Sequence, residues 1–158
     1  MNWQVERVTA DETKPVRHAV LWPHLPSVEA CVIAEDERAD TIHLGVFRCG
    51  VERGDRELVG VCSLFAQRSV RFPEALPANA GLCRLRVMGT LNSVRGQGAG
   101  AALVEGAVEA ARTAGAEYVW CDAREVALGF YEKLDFKFVS QAYDVPKIGS
   151  HRMMARRL

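Results

Sequence analysis

The chain has 158 residues, 49% of them hydrophobic, and carries 20 basic and 20 acidic side chains. That length suits one compact domain spanning residues 1–158, able to bury roughly two thirds of its unfolded surface, and the cancelled charge gives no field to draw in nucleic acid or an anionic membrane. Cysteines at 31, 49, 62, 83 and 121 form no C-x-x-C and leave one over, which argues against a structural zinc site or a disulfide framework and fits a reducing cytoplasm.

In chain order, Met1 to Ala10 lacks a basic start followed by an apolar run, and no stretch approaches the roughly 18 apolar residues of a membrane helix, so neither export nor insertion is expected. Trp3, Val5 and Val8 suggest a short first strand. A helix should follow from Asp11 as N-cap, with Val16, Ala19 and Val20 at helical spacing, and end by Pro23. Leu44 to Arg48 and Leu58 to Ala66 read as strands joined by a turn at Gly50 to Asp55, an antiparallel meander. Arg68 to Asn79 is an irregular connection. Leu82 to Gly89 returns to strand, with Leu85 and Val87 on one face and Arg84, Arg86 and Met88 on the other. After a turn at Leu91 to Val94 comes Arg95-Gly96-Gln97-Gly98-Ala99-Gly100. Leu103, Ala107, Ala110, Ala111 and Ala114 then recur at helical spacing until Gly115, placed to stop the helix as a left-handed cap. Tyr118 to Cys121 is a buried strand. A second helix fits Arg124 to Leu134, with Ala127, Phe130, Tyr131 and Leu134 on one face. Phe136 to Tyr143 and His151 to Arg156 close the chain as strands around a Pro146 to Gly149 turn. Strands, helix, strand, helix and strands make a mixed α/β sheet.

A helix that opens inside a glycine-rich turn presents unpartnered N–H groups at the positive end of its dipole. Glycines 96, 98 and 100 remove the β-carbons that would hold a pyrophosphate off the backbone, and Arg95 adds a cation at the same spot. Gly96, Gly98 and Ala101 also spell the dinucleotide-binding pattern G-x-G-x-x-A, with Asp122 about 20 residues on. Its context fails, because about half a dozen residues separate Gly89 from Gly96 and only about 35 follow Asp122, too few for further βαβ units. No lysine with serine or threonine follows the glycines, which excludes a nucleotide triphosphatase loop.

Arg95 to Gly100 followed by an alanine-rich helix resembles the R/Q-x-x-G-x-G/A signature of the GNAT superfamily of N-acetyltransferases. Phe130-Tyr131-Glu132-Lys133-Leu134-Asp135-Phe136 is similar to that family's F-Y-x-x-L-G-F block, one strand and one helix downstream. Tyr143 to Met153 is also similar to endings of small bacterial members. The likeness is specific from Leu82 onward and weak before it. It implies a mixed, mostly antiparallel central sheet with flanking helices and two splayed parallel strands, Leu82 to Gly89 and Tyr118 to Cys121, between which the pantetheine arm of acetyl-CoA enters.

The resemblance assigns roles residue by residue. Backbone groups of Met88, Gly89 and Thr90 would pair with pantetheine and the thioester carbonyl, while Arg95, Gly96, Gln97, Gly98, Ala99, Gly100 and Ala101 hold the pyrophosphate. A neutral amine of a small molecule or protein would attack the thioester directly, with no metal, and Tyr131 would protonate the departing thiolate. Where many relatives carry a basic glutamate on the strand before the turn, this chain has Arg84 and Arg86, so the base is open among His151, Asp122, Glu29 and water. The missing glutamate also motivates an alternative, a module that holds acyl-CoA without turnover. Asp135 replaces the glycine usual after the helix, Arg124 stands where many members have a coenzyme-contacting asparagine, and Cys121 reads as an inert buried thiol. Dimers are common in the family, which leaves a homodimer open.

Overall fold

The computed structural model describes residues 2–50, 52 and 54–158. The strands are β1 (Trp3–Arg7), β2 (Ile42–Cys49), β3 (Arg56–Ala66), β4 (Leu82–Thr90), β5 (Tyr118–Arg124), β6 (Lys137–Phe138), β7 (Tyr143–Val145) and β8 (Gly149–Arg157). The α-helices are α1 (Ala10–Val20), α2 (Ala99–Thr113) and α3 (Leu128–Glu132). Hydrogen bonding orders the sheet β1-β2-β3-β4-β5-β8-β6, with β7 also on β8. Antiparallel ladders join β1 to β2, β2 to β3, and β8 to β5, β6 and β7, whereas β4 and β5 run parallel. This is the mixed, mostly antiparallel α/β sheet expected. The parallel ladder covers Leu82↔Tyr118, Cys83↔Val119 and Arg84↔Trp120, although both strands continue beyond it. Val87 has a φ of 49°, a conformation that a β-branched residue rarely adopts, so the simple alternation expected for Leu82 to Gly89 breaks there. No helix among the described residues is long and apolar enough to cross a membrane.

The chain divides into two compact units, one ending at Phe65 and resuming over Val87–Ala107, the other comprising Ala66–Arg86 and Val108–Leu158. In the first, β1 to β3 form the expected meander. Val59 through Phe65 of β3 are buried without a break, the pattern of a strand covered on both faces. The turn expected at Gly50 to Asp55 is closed by the Gly50 N–H on the Asp55 carbonyl at 2.6 Å, and its residues 51 and 53 lie outside the described residues. The cap of α1 is Thr9, not Asp11. Its hydroxyl accepts the Glu12 N–H (3.2 Å) while the Glu12 carboxylate accepts the Thr9 N–H (3.1 Å), a reciprocal box that satisfies two free donors where Asp11 could satisfy one.

In the second unit, Leu76, Leu82, Trp120, Met153 and Ala155 form the core, with Phe72, Tyr118 and Val139 packed on it. The irregular segment after β3 is held by one side chain. Arg68 donates to the carbonyls of Pro73, Leu76, Pro77 and Ala78 at 2.9–3.1 Å, supplying partners the backbone lacks outside a sheet. The α2 helix ends as expected at Gly115 (φ 86°), with Ala116 N–H on the Ala111 carbonyl and Gly115 N–H on that of Arg112, both 3.0 Å, the two bonds of a left-handed cap.

Two elements differ from expectation. The helix expected over Arg124 to Leu134 is shorter, because Asp122, Ala123 and Arg124 pair with Met153, Arg152 and His151 of β8. The strand ladder thus claims Arg124, a 3-10 turn takes Glu125–Ala127, and only Leu128–Glu132 is α-helical. The strand expected over Phe136 to Tyr143 is split into β6 and β7. Between them Ser140 accepts the Met153 N–H through its hydroxyl at 2.9 Å, so a side chain takes a donor that a continuing strand would have met with a carbonyl.

Candidate active site

In the first unit the glycine run forms a turn that leads directly into α2. Gly96 and Gly98 have φ values of 74° and 94°, which any β-carbon would oppose. Gly98 provides the carbonyl for the first helical bond, from the Ala102 N–H at 3.0 Å. The N–H groups of Ala99, Gly100 and Ala101 therefore precede that bond, at the positive end of a 15-residue helix. Gly96, Gln97 and Gly98 are exposed, as is Arg95, whose side chain has no ion-pair or hydrogen-bond partner among the described residues. The turn is fixed from outside: Trp3 of β1 donates its indole N–H to the Gln97 carbonyl at 3.1 Å, and the Gln97 amide reaches back to the Ser93 carbonyl at 3.1 Å. Nothing in the spacing of Trp3 marks it for this role, since its partner lies 94 residues away.

Met88, Gly89 and Thr90 end β4 and are half-buried. A β-carbon on Gly89 would come within 2.7 Å of Val20 Cγ2 and 3.3 Å of Leu21 Cδ2, so glycine here lets the end of α1 pack down on the strand. Immediately after it the Leu91 N–H bonds the Val59 carbonyl at 2.7 Å, anchoring the chain before the glycine turn.

Tyr131 lies in the second unit, on α3. It is buried (8% exposed) and wedged between Phe130 and Phe136, with ring centroids 5.1 and 5.3 Å away. Its side chain hydrogen-bonds Cys121 of β5. Burial pushes the Cys121 thiol up, the Asp122 charge adds to this, and the Tyr131 bond opposes it, so the thiol stays protonated, as an inert buried cysteine should. Just after α3, Asp135 has a φ of 65°, the left-handed conformation that glycine adopts without strain.

Alternation along β5 sends Cys121 to one face and Trp120 and Asp122 to the other. On that other face a polar cluster gathers. Asp122 accepts from Arg84 Nη2 at 3.0 Å and from the Tyr143 hydroxyl. Arg84 also donates to Gln67 Oε1 at 2.7 Å and lies 4.9 Å from the Trp120 ring centroid. Burial pushes the Tyr143 phenol up, reinforced by its bond to Asp122 and by that carboxylate's charge, so Tyr143 holds its proton. His151 stacks on Tyr143 at 5.9 Å and donates from Nδ1 to the Gly149 carbonyl at 2.9 Å. The structure thus brings together Asp122 and His151, two of the candidate bases, with Arg84, and adds Tyr143 and also Arg71, whose guanidinium lies 4.3 Å from the Tyr143 ring centroid, two residues to which sequence reasoning gave no role. The third candidate, Glu29, belongs to the first unit and is exposed beside Lys14 (3.9 Å). Arg124 is exposed.

A glycine turn that opens a helix beside a mixed sheet has the donors to take a diphosphate. The chain matches the family described as "Acetyltransferase (GNAT) family" over residues 7–136, and it belongs to that family. It is 34% identical over 155 residues to the "Uncharacterized N-acetyltransferase YitI" of Bacillus subtilis (strain 168), covering 98% of this chain and 96% of that protein. Among solved structures, an acyl-CoA N-acyltransferase from Pseudomonas aeruginosa superposes with a TM-score of 0.68 at 23% identity, covering 98% of both chains. Arabidopsis thaliana NAA60 in complex with acetyl-CoA superposes with a TM-score of 0.75 at 11% identity, covering 99% of both. At such identities these two likenesses concern the fold.

Proposed function

We propose that the protein, acting as a single domain, transfers the acetyl group of acetyl-CoA to an amine of a small molecule or protein by direct attack on the thioester. The observation that carries this reading is the glycine turn. Two left-handed glycines, an open helix end and an exposed Arg95 with no competing partner form a diphosphate cradle in a family of acetyltransferases. Arg95 to Ala101 hold the pyrophosphate, and the backbone of Met88, Gly89 and Thr90 positions the pantetheine and polarises the thioester carbonyl. Tyr131 protonates the departing thiolate, the role for which a phenol near a forming anion is suited. All five cysteines are free, which fits work in the cytoplasm.

Calorimetry with acetyl-CoA and thiol release over a panel of amines test this reading. Gly98→Ala should weaken acetyl-CoA binding by roughly tenfold, because the turn relaxes away from a φ that costs alanine about 1 kcal/mol. Tyr131→Phe keeps the ring packing and should lower kcat by on the order of 10²-fold while leaving acetyl-CoA affinity unchanged. A full rate in that variant removes Tyr131 from the chemistry. Tight coenzyme binding with no thiol release for any amine would establish the non-catalytic acyl-CoA module instead, the reading that Arg84 and Arg86 favour by standing where relatives carry a glutamate.

A further inference from the structure

Within the second unit an open pocket of about 380 Å³ is lined by Gln67, Ser69, Arg71, Arg84, Trp120 and Asp122. Its walls are built. Gln67 is fixed by the Trp120 indole N–H on its carbonyl (2.8 Å) and by Arg84 on its amide oxygen (2.7 Å), and the buried Ser69 hydroxyl takes the Phe72 N–H at 2.9 Å. The charges within it do not cancel. Arg84 and Asp122 answer each other at 3.0 Å, and the Tyr143 phenol satisfies the second carboxylate oxygen while keeping its proton. That leaves Arg71. Its guanidinium sits 4.3 Å from the centroid of the Tyr143 ring, which holds it at the pocket by cation–π attraction. No carboxylate among the described residues pairs with it. Glu74 lines the adjoining cavity together with Arg71 but makes no ion pair with it.

One pole of the pocket is therefore a planar cation with its donors uncommitted, and the other is a carboxylate whose two oxygens each hold one bond and can accept another. A guanidinium in this state matches a carboxylate in two-point geometry, and the volume is at the small end for ligand sites. We propose that this pocket is the acceptor site and selects a small amine that carries a carboxylate, with Arg71 taking the carboxylate and Asp122 facing the amine. The proposal rests on the acetyl-transfer reading for the reaction, but its recognition step can be measured without turnover.

The test compares each α-amino acid with its α-amide, which keeps the amine and side chain and removes the negative charge. For at least one pair, kcat/KM measured by thiol release should favour the acid, and Arg71→Ala should raise KM for the acid roughly tenfold to hundredfold while leaving its amide unaffected. Arg71→Lys should recover part of the loss, since the charge stays and the fork is gone. Amides that serve as well as acids, or an Arg71→Ala loss equal for both, would overturn the proposal. Calorimetric titration of the same pairs into the protein saturated with coenzyme A separates the two readings. Binding that prefers acids and depends on Arg71, without transfer, would sink acetyl transfer and retain the pocket's selectivity. Transfer to amines without any such preference would do the reverse, and an absence of binding by all acids would also reject the pocket.

Discussion

Each unit holds an arginine–aspartate pair with a hydroxyl beside it, and the two pairs differ in their access to water. In the first unit Arg17 grips Asp36 through both nitrogens, at 2.8 and 2.9 Å, and also donates to the Cys31 carbonyl and to Ser63, both at 3.1 Å. The side chains of Arg17 and Asp36 are 0% and 8% exposed. In the second unit Arg84 and Asp122 are 23% and 25% exposed and face a pocket. The same chemistry therefore serves two ends: sealed, it fixes the fold, and left open, it can meet a ligand. The sealed network even contains the elements of a nucleophile with its base and acid, since Ser63 Oγ lies 2.7 Å from His43 Nδ1 and His43 Nε2 lies 3.7 Å from Asp36. Ser63 is wholly buried and already accepts from Arg17, so no substrate can reach it.

The most severe way to break this comparison is Arg17→Ala. It strands the largely buried Asp36 carboxylate without its cation, which should cost about 3–5 kcal/mol and lower the unfolding midpoint by roughly 10 °C for a chain of this size. Urea denaturation measures it directly. A loss below about 1 kcal/mol would mean that water reaches Asp36 in solution, and the contrast between sealed and open pairs would disappear.

A pH series sharpens the same contrast. Burial lowers the His43 pKa, the attraction of Asp36 opposes the shift and the Arg17 charge adds to it, with a net lowering from 6.5. The unfolded chain thus takes up a proton near pH 6.5 that the folded chain refuses, so stability present above pH 6.5 is lost as pH falls toward the folded value. Asp36 enters later. Burial alone would raise its pKa, but the bonds from Arg17 and the Ile33 N–H, with the Arg17 and His43 charges, bring it below 3.8. Its contribution is complete above that pH and disappears as pH drops through the folded pKa. Thermal melts of the wild type should show both steps. In His43→Gln the step beginning at pH 6.5 should vanish and the lower one persist; a wild type whose midpoint is flat from pH 7 to 5 would show that His43 titrates freely.

Much of the fold was legible because it rests on local rules. The meander followed from strand periodicity, and the end of α2 from a glycine at the required position. The glycine turn before α2 was readable for the same reason, since Gly96 and Gly98 announce positive φ in their own letters. Contacts between distant residues left no such mark. Arg68 could not be told from a surface arginine, Trp3 from a strand hydrophobe, or Arg71 and Tyr143 from ordinary loop and strand residues. Their roles appear only when Pro73 to Ala78, Gln97 and Asp122 arrive beside them. Arg124 and Ser140 show tertiary pairing overriding local pattern, with β8 claiming the first for its ladder and taking a side-chain bond from the second. Asp135 was a local anomaly whose meaning the backbone supplies: at φ 65°, Asp135→Gly should stabilise the chain by about 1 kcal/mol in urea melts, and an unchanged or lower midpoint would show the aspartate side chain offsetting that strain.

The smallest effect is expected from Arg84→Ala, the counterpart of the severe variant in the sealed site. It removes the ion pair with Asp122, the bond to Gln67 and the stacking on Trp120. Yet Asp122 keeps the Tyr143 hydroxyl and, being about a quarter exposed, can recover hydration through the pocket as the arginine leaves. Stability should therefore fall by no more than about 1 kcal/mol, in the range of partly exposed pairs. If urea melts gave a loss matching that of Arg17→Ala, the pocket would be closed in solution and Asp122 would be a second structural carboxylate, unable to face an incoming amine.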